Sequence, residues 1–96
     1  MPTHAQTGTF QRDFARLSLV EKEAFRAAVG KFVHDLQAGR LRKSLRVKRI
    51  QGAPGVFEMT WARDGRATFE YGEEIVPGEP HVIWRRIGGH GVFSTP

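Results

Sequence analysis

The fold of this chain is decided by one stretch near its C-terminus, Val82-Ile83-Trp84-Arg85-Arg86-Ile87-Gly88-Gly89-His90-Gly91-Val92-Phe93. Its β-branched and aromatic residues predict a strand that stops at the two glycines. Just past the glycines lies His90, with Arg85 and Arg86 behind it and Phe93 ahead. Arginine matches phosphate oxygens in a bidentate way, histidine can move a proton near neutral pH, and an aromatic ring can stack on a base. The stretch therefore suits a phosphodiester substrate.

The residues before this stretch predict three more strands. Apolar and polar residues alternate with a period of two in each of them, as expected for half-buried strands. Asp64-Gly65, between the second and the third, is a strong hairpin signal. The four predicted strands are Leu45–Ile50, Val56–Trp61, Arg66–Tyr71 and His81–Ile87.

Two helices are predicted ahead of the strands. The first is a short helix from Thr9, where apolar residues recur at helical spacing. The second runs from about Leu19 to Ala38, after the capping box Ser18-Leu19-Val20-Glu21 and before Gly39, a left-handed cap residue. Its apolar stripe consists of Phe25, Ala28, Val29, Phe32, Val33 and Leu36.

Helices followed by strands indicate an α+β fold, with both helices on one face of a single antiparallel sheet of about four strands. The N-terminal segment Thr3–Gln6 fits either a short edge strand or a frayed end. The residues expected to pack against the helices are Phe57, Met59, Trp61, Phe69 and Tyr71. The opposite face is the expected binding surface, and it would carry Arg46, Lys48, Glu58, Thr60, Arg66, Thr68 and, if Ile83 and Ile87 point inward, Trp84 and Arg86.

The composition bounds the class of protein. The chain of 96 residues predicts a single domain, residues 1–96, with one modest core. The net charge of +5 favours an anionic partner; the alternative is a basic surface that serves only solubility. Disulfides and cysteine metal sites are excluded because there is no cysteine. No segment resembles a signal peptide or an apolar membrane span, so we expect a soluble cytoplasmic protein with no membrane partner, metal or cofactor.

The order of these elements and three motifs within them resemble the RelE/ParE superfamily of bacterial toxins from type II toxin–antitoxin systems. The resemblance covers roughly residues 10–93. Its motifs are Leu45-Arg46-Val47-Lys48 leading into Gly52-Ala53-Pro54-Gly55-Val56-Phe57-Glu58, then Asp64-Gly65-Arg66-Ala67, then Arg86-Ile87-Gly88-Gly89-His90 ending at Phe93. The last motif is most similar to the YafQ-like branch, where an Arg-x-Gly-x-His stretch and a nearby Phe complete the active site.

The resemblance implies a small monomeric ribonuclease that cleaves mRNA in the ribosomal A site. It also implies a cognate antitoxin, whose acidic or amphipathic segment would lie across the basic face and hold the toxin inactive. By position, Arg86 and His90 would be catalytic, Phe93 would stack on or orient the RNA, and Arg66 would resemble the strand arginine of RelE-like members. Members often carry an acid one or two residues after the histidine, and Gly91-Val92 supplies none here.

Metal-independent RNA cleavage must activate a 2′-OH, stabilise charge at phosphorus and protonate a leaving oxygen. His90 is the candidate acid or base; the alternative is a turn histidine bonded to the backbone. Arg86 would neutralise the developing phosphorane; the alternative is a salt bridge to Glu58, Glu70 or the acidic loop Gly72–Pro80. For Arg66, the alternative to a catalytic role is an exposed hairpin position.

Glu58 is the candidate for the missing base, because it lies in the middle of a strand on the basic face. The alternative for Glu58 is a cross-strand ion pair with Arg46, Lys48 or Arg66. The basic residues of the strands would hold phosphates without reading sequence, although a solvated strand face also explains them. The aromatic residues either stack on RNA or close the core. The expected RNA-binding residues are Arg46, Lys48, Arg85, Trp84 and Phe93.

Two other functions are compatible with these patterns. One is a non-enzymatic toxin of the ParE type that acts on DNA gyrase; His90 argues against it, because a gyrase binder needs no proton shuttle. The other is a catalytically inactive nucleic-acid-binding member of the same fold, which would show RNA affinity with a steep salt dependence but no cleavage.

Overall fold

The computed structural model describes residues 1–96 and places two helices on one face of a five-stranded sheet. The strands are β1 (Thr3–Gln6), β2 (Lys48–Arg49), β3 (Phe57–Thr60), β4 (Arg66–Gly72) and β5 (His81–Gly88), and the helices are α1 (Gly8–Ala15) and α2 (Leu19–Ala38). The sheet order is β1-β5-β4-β3-β2, antiparallel throughout except that β1 runs parallel to β5. The predicted α+β fold is confirmed, and Thr3–Gln6 is a paired edge strand.

α2 begins and ends where its capping residues predict, and α1 begins at Gly8, one residue before the predicted Thr9. The Ser18 hydroxyl accepts from the Glu21 amide at 3.1 Å, and the Glu21 carboxylate accepts from the Ser18 amide at 2.8 Å, which completes the capping box. Gly39 ends α2 with a φ of 80°, in the left-handed region. Thr7 caps α1 by accepting from the Phe10 amide at 3.0 Å. Neither helix is long and apolar enough to cross a membrane.

The connector after α2 corrects the first predicted strand. Lys43–Leu45 forms a 3₁₀ turn, and Arg46 adopts a left-handed φ of 49°. Extended structure therefore begins only at Lys48, so the strand expected over Leu45–Ile50 is reduced to the two residues of β2. Its alternation of apolar and basic residues arises from a tight turn that buries Leu45, not from a long half-buried strand.

Asp35 ties this connector back to α2. Its buried carboxylate accepts from Arg42 three times, from the backbone N at 2.9 Å, from Nε at 2.8 Å and from Nη2 at 2.9 Å. These charge-assisted hydrogen bonds hold the pKa of the Asp35 carboxyl well below its usual range. The pair fixes the direction in which the chain leaves the helix and approaches the sheet.

A β-bulge in β5 decides which of its side chains enter the core. In the strand register, Thr68 on β4 pairs with Arg86, whereas the next residue, Phe69, pairs with Trp84. Arg85 is therefore the extra residue of the bulge and has no register partner on β4. The extra residue changes the alternation, and both Trp84 and Ile87 are buried in the core. The expected placement of Trp84 on the outer face is therefore wrong.

Trp84 lies at the centre of an aromatic cluster between the helices and the sheet. Its side chain is only 4% exposed, and its ring meets Phe25 and Phe69 at centroid distances of 5.3 Å each, in edge-on geometry. Aromatic pairs in this geometry contribute beyond the area they bury. An indole held in this way cannot stack on a nucleic-acid base, so Trp84 is a core residue and not an RNA-binding residue.

The β3–β4 hairpin is built on contact between an indole and a glycine. The Gly65 amide donates to the Ala62 carbonyl and the Trp61 amide donates to the Gly65 carbonyl, each at 3.1 Å. A Cβ on Gly65 would lie 2.6 Å from carbon atoms of the Trp61 indole. Only glycine allows the ring to lie against the turn, and this contact sets the position of Asp64 at the tip. The hairpin predicted from Asp64-Gly65 is confirmed.

The C-terminal residues cover part of the sheet face that faces away from the helices. Val92, in the 3₁₀ segment His90–Ser94, is buried, and the Pro96 carbonyl accepts from the Thr68 hydroxyl and from Arg85 Nε at 3.1 Å each. Thr68 is consequently fully buried. The outer face is therefore partly closed, and the exposed polar groups are concentrated around the β3–β4 hairpin and the end of β5.

Candidate active site

His90 lies between a carboxylate and a guanidinium. Its Nδ1 is 2.5 Å from Asp64 Oδ1, and its Nε2 is 3.3 Å from Arg66 Nη2. A guanidinium can only donate, so Nε2 is the acceptor in the second contact and the proton of the neutral ring lies on Nδ1, donated to Asp64. This tautomer leaves the Nε2 lone pair on the side of Arg66, which is the arrangement a general base requires.

The topology of the sheet brings these three residues together. Arg66 begins β4 and pairs in register with Gly88, the last residue of β5. The hairpin tip with Asp64 therefore lies beside the glycine turn that carries His90. A Cβ on Gly89 would lie 2.6 Å from Asp64 Oδ2, so glycine is needed there for the carboxylate to approach.

Arg66 is held in place by the turn that precedes it. Its Nη1 donates to the carbonyl oxygens of Gly65 at 2.9 Å and of Ala62 and Arg63 at 3.4 Å each. Its side chain forms no salt bridge with a carboxylate. Arg66 therefore presents a guanidinium without a carboxylate partner next to His90, and these hydrogen bonds distinguish it from the exposed hairpin residue of the alternative interpretation.

Asp64 is a site residue that the sequence analysis missed. The hydrogen bond from His90, with a smaller contribution from the charges of His90 and Arg66, lowers the pKa of the Asp64 carboxyl below its ordinary value. The carboxylate therefore stays ionised wherever His90 can act as a base. The signal lay in the Asp64-Gly65 motif, which we interpreted only as a turn. The acid missing after the histidine is supplied from a hairpin 26 residues earlier in the chain.

Phe93 forms one wall of the site. Its ring is edge-on to the His90 ring, with centroids 5.8 Å apart and an interplanar angle of 83°. The side chain is half-buried, and the residue of this segment that enters the core is Val92. Phe93 therefore keeps an accessible ring surface beside the imidazole.

Arg86 forms a salt bridge with Asp13 and does not contact His90. Its Nε and Nη2 donate to Asp13 on α1 at 2.6 Å and 3.3 Å, its Nη1 donates to the Thr95 carbonyl at 3.2 Å, and its side chain is 26% exposed. No hydrogen bond joins Arg86 to His90. Arg86 and His90, which were both expected to be catalytic, are therefore not in contact, and the salt-bridge partner of Arg86 is Asp13 and not Glu58, Glu70 or the acidic loop.

The remaining predicted residues lie outside the contacts of His90. Glu58 is 8% exposed, pairs in register with Lys48 and lies 3.7 Å from its Nζ, which is the cross-strand ion pair of the alternative interpretation. Arg85 pairs with Glu70 at 3.2 Å. Arg46 is exposed and has no salt-bridge partner. Nowhere do three or more His, Cys, Asp or Glu side chains form a group able to hold a metal ion.

No protein-family model and no curated protein matches the sequence. Solved structures do match. A chain of the E. coli DinJ–YafQ toxin–antitoxin complex superposes with a TM-score of 0.69 at 12% identity, over 95% of this chain and 94% of the other.

Two further structures extend the likeness beyond one species. A chain of the RelB–RelE antitoxin–toxin complex from Methanococcus jannaschii gives a TM-score of 0.64 at 16% identity, over 96% and 99% of the two chains. The YoeB/ParE toxin from Agrobacterium tumefaciens gives a TM-score of 0.64 at 9% identity, over 92% of this chain and 98% of the other. This chain has the fold of the RelE/ParE superfamily of toxins from toxin–antitoxin systems.

Proposed function

We propose that this protein is the toxin of a type II toxin–antitoxin system and a metal-independent endoribonuclease that cleaves mRNA bound to the ribosome. The observation that carries the proposal is the placement of His90 between Asp64 and Arg66. It combines a base whose lone pair faces Arg66, a carboxylate that stabilises the protonated ring, and a cation with no carboxylate partner. These groups can activate a 2′-OH and stabilise charge at phosphorus without a metal, and water can protonate the leaving oxygen.

In the proposed reaction, His90 Nε2 removes the proton of a ribose 2′-OH. The 2′-oxygen then attacks the adjacent phosphorus, and Arg66 leaves Nε2 to bind the phosphate oxygens that gain charge. The bond to the 5′-oxygen of the next nucleotide breaks, and that oxygen takes a proton from water. The products are a 2′,3′-cyclic phosphate and a 5′-hydroxyl end, and His90 returns its proton to solvent.

In this reaction Asp64 positions His90 and does not itself contact the substrate. It holds the proton on Nδ1, so that Nε2 is the atom facing the substrate, and it stabilises the imidazolium that forms. Phe93 offers a ring surface on which a base next to the cleaved bond can stack. Arg66 takes the role first expected of Arg86, because Asp13 already neutralises Arg86. Glu58 has no part as a base, since it is buried against Lys48.

The proposed partners follow from the same fold and charge. Two of the similar structures are toxin–antitoxin complexes, which supports a cognate antitoxin for this chain. The net charge of +5 favours an acidic or amphipathic antitoxin segment as well as mRNA on the ribosome. We place the free toxin in the cytoplasm as a monomer.

The test is induced expression of the unsubstituted protein and of His90→Ala, with primer extension on cellular mRNA and cleavage of mRNA on purified ribosomes. We expect growth arrest and mRNA cleavage from the first and neither from the second. His4→Ala is the matched control, because His4 is exposed on β1 and makes no side-chain hydrogen bond. Growth arrest with intact mRNA and broken DNA would instead identify a ParE-type toxin acting on gyrase. RNA binding without cleavage would identify an inactive nucleic-acid-binding member.

A further inference from the structure

A basic recess of about 410 Å³ opens next to the candidate active site, between α2 and the β3–β4 hairpin. Three of the four α2 residues that line it are alanines, and their small side chains leave room for the recess. Arg66 belongs both to this recess and to the His90 site, so the two are continuous. The side chains that give the recess its character are Lys31, Arg46, Arg63, Arg66 and Trp61.

The four cations of the recess have no acidic partner. No Asp or Glu is among the residues that line it, and none of the four forms a salt bridge. Elsewhere in the fold some basic residues are paired with acids, as in Arg42–Asp35, Arg85–Glu70 and Arg86–Asp13. Four like charges around one concave surface repel each other and focus a positive potential there. An anionic ligand would relieve this repulsion.

The recess also offers uncharged hydrogen-bond donors. The hydroxyls of Ser44 and Thr60 line it. Trp61 also lines the recess, although its indole Nε1, which has no hydrogen-bond partner, is buried. Cations combined with neutral donors match the oxygen atoms of a phosphodiester backbone.

We propose that this recess, termed here the α2–hairpin recess, binds the backbone phosphates of the RNA nucleotides that adjoin the cleaved bond. The inference rests on the proposed nuclease function and adds a second phosphate-binding region to it. Lys31 and Arg63 are the new phosphate-binding residues, and neither contacts His90. RNA is the favoured occupant because the recess continues directly from Arg66, where the reacting phosphate would lie.

The test compares two double variants that remove the same charges. Lys31→Gln with Arg63→Gln empties the recess of two cations. Lys22→Gln with Arg26→Gln is the matched control: both residues lie over the Phe14 ring, at 5.5 and 5.6 Å, and neither lines the recess. Each double variant is combined with His90→Ala for binding, so that the RNA stays intact. The probe is a single-stranded RNA of about 12 nucleotides, titrated at several salt concentrations.

Log K falls as log salt rises, and we expect the recess variant to make this slope shallower by about 1.4, since each of the two lost contacts to single-stranded nucleic acid contributes about 0.7. At 0.1 M salt this corresponds to a loss of affinity of about 25-fold. The control variant should keep both values near those of the parent. With His90 intact, the recess variant should raise KM for mRNA on ribosomes and leave kcat nearly unchanged, because Lys31 and Arg63 would bind phosphates beside the cleaved one and do not contact His90.

Three outcomes would overturn the recess proposal. The first is equal loss of affinity in both double variants, which reflects net charge alone. The second is an unchanged salt slope and an unchanged KM in the recess variant while the unsubstituted protein still cleaves mRNA. The third is a recess variant that binds RNA as tightly as its parent but binds poly-glutamate more weakly, which would assign the recess to an acidic polypeptide. Failure of the unsubstituted protein to cleave any mRNA would instead refute the proposed function itself.

Discussion

Asp13 on α1 binds Arg86 on β5 across 73 residues of sequence, with Asp13 Oδ2 2.6 Å from Arg86 Nε and 3.2 Å from the Ile87 amide. The buried carboxylate thus joins the first helix to the bulged strand β5, which lies between β1 and β4 in the sheet. Arg86, which motif position alone places in catalysis, is part of the structural frame. The pair also explains why the free guanidinium at the site is that of Arg66.

Arg86→Ala should reduce stability as well as any activity. Removing the guanidinium leaves Asp13 buried without its cationic partner, and we expect the free energy of unfolding to fall by about 2–3 kcal/mol. Urea unfolding of Arg86→Ala, Asp13→Ala and the double variant measures this, and the double variant should lose less than the sum of the singles. Full stability in Arg86→Ala together with abolished cleavage would show that Arg86 acts directly in catalysis.

Asp64→Asn should impair catalysis through His90. We expect His90→Ala to lower kcat by about 10²–10⁴-fold, and Asp64→Asn to lower it by a smaller factor with KM nearly unchanged. Combining the two should add little to His90→Ala alone, because Asp64 acts only through the imidazole. Since Asp64 and His90 are 77% and 60% exposed, neither substitution should change stability appreciably. Additive losses in kcat would mean that Asp64 contacts the RNA independently.

Stability should fall in acid because of Asp35. Its carboxyl has a folded-state pKa below the ordinary value of 3.8, mainly through hydrogen bonds from Arg42. Its contribution to stability is therefore fully present above about pH 4 and is lost as the pH falls through the folded-state pKa. Urea unfolding at pH 7, 4, 3 and 2 should show this decline. Asp35→Asn should be less stable at pH 7 and should lose less on acidification; a parallel pH profile would contradict the assignment.

Gly65→Ala should damage both the hairpin and the site. The added Cβ would meet the Trp61 indole at 2.6 Å, and the ring can move only by disturbing the core. We expect a loss of about 1–3 kcal/mol in stability, as for other overpacked positions, and a fall in kcat because Asp64 is displaced. Gly30→Ala is the control, because its Cβ would meet nothing within 4 Å and should stabilise α2 by up to about 1 kcal/mol.

Alanine substitutions of Trp84 and Phe93 should have different effects, because Trp84 is a core residue and Phe93 has an accessible ring. Trp84→Ala should cost about 3–5 kcal/mol because it opens a cavity in the aromatic cluster. Phe93→Ala should leave stability nearly intact and weaken RNA binding by about 1–3 kcal/mol if one base stacks on the ring. Thermal unfolding and RNA titration of the same two proteins test both statements. Unchanged RNA affinity in Phe93→Ala would remove this residue from the proposed site.

Local signals in the sequence were sufficient for most of the secondary structure. The capping box at Ser18, the apolar period of α2 and Gly39 gave the helix bounds that the structure has, because each signal involves residues within one helical turn. Asp64-Gly65 marked the hairpin for the same reason. The predicted strand over Leu45–Ile50 was wrong because alternation over six residues does not distinguish a strand from a 3₁₀ turn followed by a left-handed residue.

The sequence by itself determined the class of fold, the positions of both helices and the presence of a histidine and arginines near a glycine turn at the end of the last strand. Only the tertiary structure decided which side chains meet. The bulge at Arg85 places Trp84 in the core, and Asp13 forms a salt bridge with Arg86. Asp64, 26 residues earlier in the chain, forms a hydrogen bond with His90. Capping and periodicity act between neighbours along the chain. The partner of a charge and the face of a strand depend instead on sheet register and packing, which bring distant residues within hydrogen-bond distance.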